Sequence, residues 1–144
     1  MTFHLSDKSK TKLVLVHPHL REVVEAAIKV TTVDFCVLEG LRTLDRQREL
    51  VRAGASTTMN SRHLHGLAVD LGAIVGGKIT WHPKVYDQIA DAMLGTASKL
   101  GIHITWGGSW ISFKDLVHFE LSKPYYPDNW TVDKASDIIK PKEN

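Results

Sequence analysis

With 144 residues, 43% apolar and 24% charged, the chain is sized for one folded domain around one core and falls outside the disordered class. Eighteen basic side chains against sixteen acidic ones leave a formal charge of +2, too even for a nucleic-acid binder, and no basic stripe interleaved with aromatics is present. The mild positive excess suits an anionic polymer.

The first residues, Met1 to Asp7, carry no charged stretch followed by a long apolar run, and Leu13–Val16 is too short for a signal-peptide core or a membrane span. The expectation is synthesis in the cytoplasm and no stable membrane insertion. Pro18 suits a first helical turn, and Leu20, Val23, Val24, Ala27 and Ile28 follow at helical spacing. Val33 to Leu38 reads as a strand buried on both faces. It holds Cys36, the only cysteine, which excludes an internal disulfide and reads as a buried structural thiol. Gly40 breaks the strand, and Thr43 caps a second helix running through Leu44, Gln47, Leu50 and Val51 to a terminating Gly54.

Residues 55–62 form a polar loop. Ala68 to Val75 reads as a strand, Gly76-Gly77 as a hairpin turn and Lys78 to Trp81 as the return strand. Val85, Tyr86, Ile89, Ala90, Met93, Ala97 and Leu100 mark an amphipathic helix ending at Gly101. Ile102 to Trp106 and Val117 to Leu121 are two further short strands. This mixture predicts an α+β domain spanning 1–144, with a small, mostly antiparallel sheet flanked by helices. The tail after Pro124 is polar and proline-punctuated, and its expected state is partly loose.

The chemistry concentrates in Ser61-Arg62-His63-Leu64-His65-Gly66-Leu67-Ala68-Val69-Asp70 and in Asp115-Leu116-Val117-His118-Phe119-Glu120. Two histidines and an aspartate (His63, Asp70 and His118) match the three-ligand set of a catalytic zinc, with one position left open. The interval between His63 and Asp70 requires a bend, for which Gly66 and Ala68 allow close backbone approach. Asp115 lies three residues before His118, so it must sit in a turn ahead of the strand to reach the same cleft, where it could exchange protons with water and a leaving amine. Glu120 shares a strand face with His118 and could orient its ring. His65 shares strand parity with His63, so a His63/His65 pair is a second, less favoured arrangement. His4, His17, His19, His82 and His103 read as structural or solvated.

Ser61-x-His63-x-x-Gly66-x-Ala68-x-Asp70 resembles the signature of the LAS zinc peptidases, the group of lysostaphin-type, D-alanyl-D-alanine and hedgehog-like proteins. Asp115-x-x-His118 resembles their second motif. His17-Pro18, Glu39-Gly40-Leu41-Arg42-Thr43, Gln47-Arg48-Glu49-Leu50, Met59-Asn60-Ser61-Arg62-His63 and Trp106-Gly107-Gly108-x-Trp110 are similar to the phage endolysins and bacterial homologues that cleave L-alanyl-D-glutamate bonds. The resemblance covers about residues 5–127.

It implies a hedgehog/D,D-peptidase-like fold, zinc on His63, Asp70 and His118, and Asp115 as general base and acid. It also implies Arg42 near the substrate carbonyl or oxyanion and Ser61 as an orienting residue in the substrate groove. Arg42, Arg62 or Lys114 could hold a substrate carboxylate. Trp106 and Trp110 are candidates for the groove wall, as are Trp81, Tyr125 and Tyr126. The implied partner is the peptidoglycan stem peptide, met by a monomer that acts on the wall after release from the host cytoplasm. Ser109 departs from the aspartate many relatives carry there. Asp115 stands where the dipeptidase branch has glutamate. A D,D-carboxypeptidase would use the same metal site, and a non-catalytic zinc-organised module would keep the ligands without needing Asp115.

Overall fold

A computed structural model describes residues 2–130 of the chain. The remainder of the expected loose tail, residues 131–144, lies outside the described residues. Four helices are present: α1 (Asp7–Leu13), α2 (Pro18–Val30), α3 (Leu44–Arg52) and α4 (Pro83–Leu100). Five strands accompany them: β1 (Asp34–Glu39), β2 (Ala68–Val75), β3 (Lys78–Thr80), β4 (Ile104–Trp106) and β5 (His118–Leu121).

The strands form one antiparallel sheet in the order β1-β2-β5-β4, with β3 also on β2. The eight residues of β2 make it the hub. One edge pairs with β1; the other is shared by β5 at Ala68–Asp70 and β3 at Ala73–Val75. The Gly76-Gly77 turn has both residues at positive φ (60° and 78°), as a two-residue hairpin loop with the strands' own twist requires.

Side chains of successive strand residues point to opposite faces. Val37 faces Leu71, Phe35 faces Ala73 and Val69 faces Phe119, so one face of the sheet is apolar. That face joins Val23, Val24 and Ala27 of α2 and Tyr86, Ile89, Met93 and Ala97 of α4 in a single core. The opposite face carries Asp70, His118, Glu120 and Glu39, which are Cα partners or two residues from one. One alternation therefore builds the core and aims the polar groups away from it.

Pro18 opens α2, Thr43 Oγ1 caps α3 by accepting from Arg46 N, and Gly101 ends α4 at φ 70°, as their residue types predict. One expectation is corrected, and two features add to the reading. Strand β1 alternates, with Phe35 and Val37 buried and the others half-buried, Cys36 among them, because only one face of the sheet meets the core. Helix α1 is absent from the apolar periodicity because it buries only Ser9 and Leu13. Its start rests instead on the Ser6 cap, whose side chain accepts from Ser9 N. The segment after Pro124 packs back: Tyr126 OH meets His19 Nδ1 at 2.9 Å, and Trp130 is 7% exposed against His17 and Gly66. Among the described residues no helix is long and apolar enough to cross a membrane.

Candidate metal centre and active-site cleft

Asp70 lies in the central strand, opposite His118 of β5 on one side and Glu39 of β1 on the other. Directly opposed residues share a face and approach closely, so Asp70 and His118 are brought together by register alone. A register shift in β1 between Val37 and Glu39 brings Glu39 onto that face as well. His63 arrives differently. It sits in a single 3-10 turn, Arg62–His65, that Ser61 caps by accepting from His63 N. Gly66 ends the turn in the left-handed conformation (φ 67°) and returns the chain into β2. A side chain there would meet Leu15 O and the Trp130 ring, so the backbone geometry and the packing both require glycine.

One ligand atom from each of His63, Asp70 and His118 lies within 4.8 Å of the other two. His63 Nε2 is 3.1 Å and His118 Nδ1 3.3 Å from the same oxygen, Asp70 Oδ1. The far nitrogens are held from behind. His63 Nδ1 donates to Gly40 O at 2.9 Å, and His118 Nε2 donates to Glu120 Oε1 at 2.9 Å. These bonds fix each tautomer and leave the inward nitrogen as the lone-pair donor, the arrangement metal-binding imidazoles require. The cluster is short of positive charge. Although burial favours its neutral form, hydrogen bonds to Asp70 and Glu120 hold the His118 ring up to about 9. Burial likewise opposes ionisation of Asp70, yet bonds from His118 and His63 keep it far below the usual carboxylate range. A buried set of two imidazoles and one carboxylate that attracts a proton this strongly fits a divalent cation with nitrogen and oxygen ligands.

Asp115 stands in the turn ahead of β5, where His118 N donates to Asp115 O at 3.2 Å and Asp115 N to Gly107 O at 3.1 Å. It lines a cleft of about 630 Å³ together with His63, Asp70, His118 and Trp110. Burial and the nearby Asp70 charge raise its carboxyl above the ordinary range. A side chain at Gly107 would run into Asp115 O, so this glycine sets how closely the turn approaches the site.

A family model for the phage L-alanyl-D-glutamate peptidase matches residues 1–124. The chain belongs to that family. The L-alanyl-D-glutamate peptidase of Escherichia phage T5 is 27% identical over 130 residues, covering 88% of this chain and 94% of that protein. The L-Ala D-Glu endopeptidase ChiX of Serratia marcescens has a TM-score of 0.81 at 45% identity, covering 84% of this chain and 91% of its own. The vancomycin-resistance D,D-dipeptidase VanXYg matches with a TM-score of 0.50 at 16% identity, covering 87% of this chain and 59% of its own, and shares the fold alone. The expected hedgehog/D,D-peptidase-like α+β fold is therefore the observed one.

In this member of the L-alanyl-D-glutamate peptidase family, the remaining expected site residues divide. Trp110 is in the cleft, its ring 5.2 Å from that of His118. Trp106 is turned away: it stacks on Phe119 at 6.3 Å and donates Nε1–H to Leu116 O at 2.8 Å, bracing the turn that carries Asp115. Trp81 and Tyr125 stack on Tyr86 and His103, and Tyr126 meets His17 edge to face, all outside the cleft lining. Ser61 lines the cleft and caps the His63 turn. Ser109 is exposed in the turn Gly107–Ser109.

Arg42 lies at the cleft floor with its donors engaged. Nε and Nη2 meet both oxygens of Glu39 at 2.7 Å, Nη1 meets Gln47 Oε1 at 2.7 Å and Ser61 Oγ at 3.4 Å, and Nη2 is 3.7 Å from Asp70 Oδ2. Arg62, expected at a substrate carboxylate, is 5% exposed. Its guanidinium meets Glu120 at 3.3 Å, Asp128 at 2.6 Å and Leu121 O at 2.5 Å. It is a buried strut behind Glu120 and thus behind His118, because its charge points into the protein.

Two residues of this site were not singled out for a role from sequence. Glu39 grips Arg42, and the fully buried Gln47 joins Arg42 to the cleft-wall loop by donating to Ser56 Oγ and Thr58 O at 2.9 and 2.6 Å. The available signal was their place in runs similar to known relatives.

Proposed function

We propose that the chain is a zinc metallopeptidase that hydrolyses the L-alanyl-D-glutamate bond of peptidoglycan stem peptides, as a phage or prophage endolysin. The observation that carries this reading is the convergence of His63 Nε2, Asp70 Oδ1 and His118 Nδ1 beside Asp115 in one open cleft, in a member of this peptidase family. His63, Asp70 and His118 would hold the zinc, which supplies Lewis acidity that polarises an amide carbonyl and acidifies water.

Asp115 takes a proton from the attacking water and delivers it to the departing D-glutamate amine. A carboxyl raised by burial is better matched to that exchange near neutrality than an ordinary one. Arg42 contributes a fixed positive charge next to Asp70. Its long contact to Ser61 Oγ is the one a substrate oxygen would replace. Trp110 walls the cleft against the His118 ring. The enzyme works as a monomer that is made in the host cytoplasm and reaches the wall after release.

Mass spectrometry of purified peptidoglycan digested with and without a chelator tests this. Zinc-dependent products beginning with D-glutamate are expected. Release of free D-alanine would select a D,D-carboxypeptidase. A folded, zinc-loaded protein that yields no product would leave a zinc-organised binding module. Full lytic activity in Asp115→Ala would refute the proton-transfer role.

A further inference from the structure

We infer that Lys114 is the specificity-determining cation of the cleft, binding the α-carboxylate of the D-glutamate residue whose amine departs. This rests on the cleavage proposed above and adds which form of the stem peptide the site selects.

Four cationic side chains line the cleft: Arg42, Arg62, Lys114 and Lys123. Two are already held by carboxylates. Arg42 is gripped by Glu39, and Arg62 is buried between Glu120 and Asp128. Lys123 is exposed and, like Lys114, in no ion pair among the described residues, but it follows β5, eight positions from Asp115. Lys114 is exposed on the cleft and is in no ion pair among the described residues. Its place on the cleft follows from the local backbone. Phe113, Lys114 and Asp115 are consecutive and all line the cleft, which an extended segment with alternating side chains cannot do. The chain achieves this through Phe113 at φ 53°, the one described non-glycine residue with positive φ.

The chemistry of the bond agrees. In a stem peptide D-glutamate continues through its γ-carboxyl, so its α-carboxylate is free and sits on the carbon that bears the scissile nitrogen. Asp115 serves that nitrogen. A cation on the adjacent residue, with its Cα about 3.8 Å away, is where the α-carboxylate needs a partner. A carboxamide at the same position would gain no ionic attraction.

The test compares two synthetic tripeptides, L-Ala-γ-D-Glu-diaminopimelate and the same peptide with the α-carboxylate converted to a carboxamide. Wild-type protein should favour the carboxylate form by about 5-fold in kcat/KM, the size of a partly exposed ion pair. The preference should shrink with added salt. Lys114→Met should bring the ratio of the two peptides to near one, Lys114→Glu should invert it, and Lys114→Arg should keep it. Thermal unfolding of each variant should match wild type, since the side chain is exposed. Equal losses on both peptides in Lys114→Met, or an unaltered ratio, would overturn the assignment. Failure of wild-type protein to release N-terminal D-glutamate from either peptide would instead remove the cleavage reading, and this inference with it.

Discussion

Arg62 separates two accounts of the same residue, one from sequence and one from structure. If it anchors a substrate carboxylate, its removal should raise KM and leave stability alone. In the structure its side chain is 5% exposed, and its partner Glu120 is 8% exposed. Removing one member of a buried pair leaves the other charge desolvated and unmatched, which typically costs about 3–5 kcal/mol. The bond to Leu121 O adds about 1 kcal/mol. The arm to Asp128 adds little, because that carboxylate is 37% exposed and solvent-screened, for about 0–1 kcal/mol. Arg62→Met should therefore lose about 4–7 kcal/mol in urea unfolding with an unaltered m-value, whereas Asp128→Asn should lose under about 1 kcal/mol. Adding Glu120→Gln to Arg62→Met should recover part of the loss, since no buried charge then remains unmatched. An Arg62→Met protein within about 1 kcal/mol of wild type, with KM raised several-fold, would refute the buried-strut reasoning and restore the substrate role.

Gln47→Leu removes the short acceptor of Arg42 Nη1 and the short donor to Thr58 O, leaving the longer contacts with Ser61 and Ser56 in their place; at about 1 kcal/mol for each lost bond, urea unfolding should show a loss of about 2 kcal/mol. Gln47→Glu keeps the acceptor for Arg42, so hydrogen exchange should quicken at residues 56–60 while the Arg42 anchorage persists; protection equal to wild type there would count against the coupling. Burial, with a smaller contribution from His19, lowers the His17 ring from 6.5 to about 4. Between those values the unfolded chain binds more protons than the folded one, so stability rises with pH through this window and is complete above it. The contribution is about 3 kcal/mol. His17→Asn, which still caps α2, should lose less stability than wild type on acidification from pH 7 to 4, and parallel losses would refute the assignment. Glu120→Ala removes the acceptor behind His118 Nε2 and should weaken zinc binding by about 10–100-fold in chelator competition, with Glu120→Gln intermediate; equal affinities would mean that Glu120 does not orient the ring.

Much of this was legible in the chain because the relevant signals are local. Pro18, Thr43, Gly54 and Gly101 punctuate helices by backbone chemistry, and Gly76-Gly77 marks its hairpin, so those boundaries follow from residue type. The juxtaposition of His63, Asp70 and His118 was legible for a different reason: the motifs that carry them resemble those of known peptidases. The burial of Arg62 was not legible because sequence gives a cation's neighbours in the chain, while its partners Glu120 and Asp128 lie 58 and 66 positions away. The Trp130 contact with Gly66 was invisible for the same reason. Helix α1 escaped because a seven-residue helix with two buried positions has too few turns to display a period.

The placement of Arg42 follows from the same economy of faces. Register sets Glu39, Asp70 and His118 side by side on the polar face of β1, β2 and β5. Three acceptor-rich groups in a row, with Glu120 next in line, would repel one another without cations between them. Arg42 enters from the Glu39 side and Arg62 from the Glu120 side, each bonded to the carboxylate at its own end. Between them lies Asp70, whose Oδ2 is 3.7 Å from Arg42 while its Oδ1 faces both histidine nitrogens. The two arginines thus balance the ends of the row and leave the centre electron-rich. Such a centre suits a cation, and Asp115 is held just outside the row by its own turn, lining the same cleft.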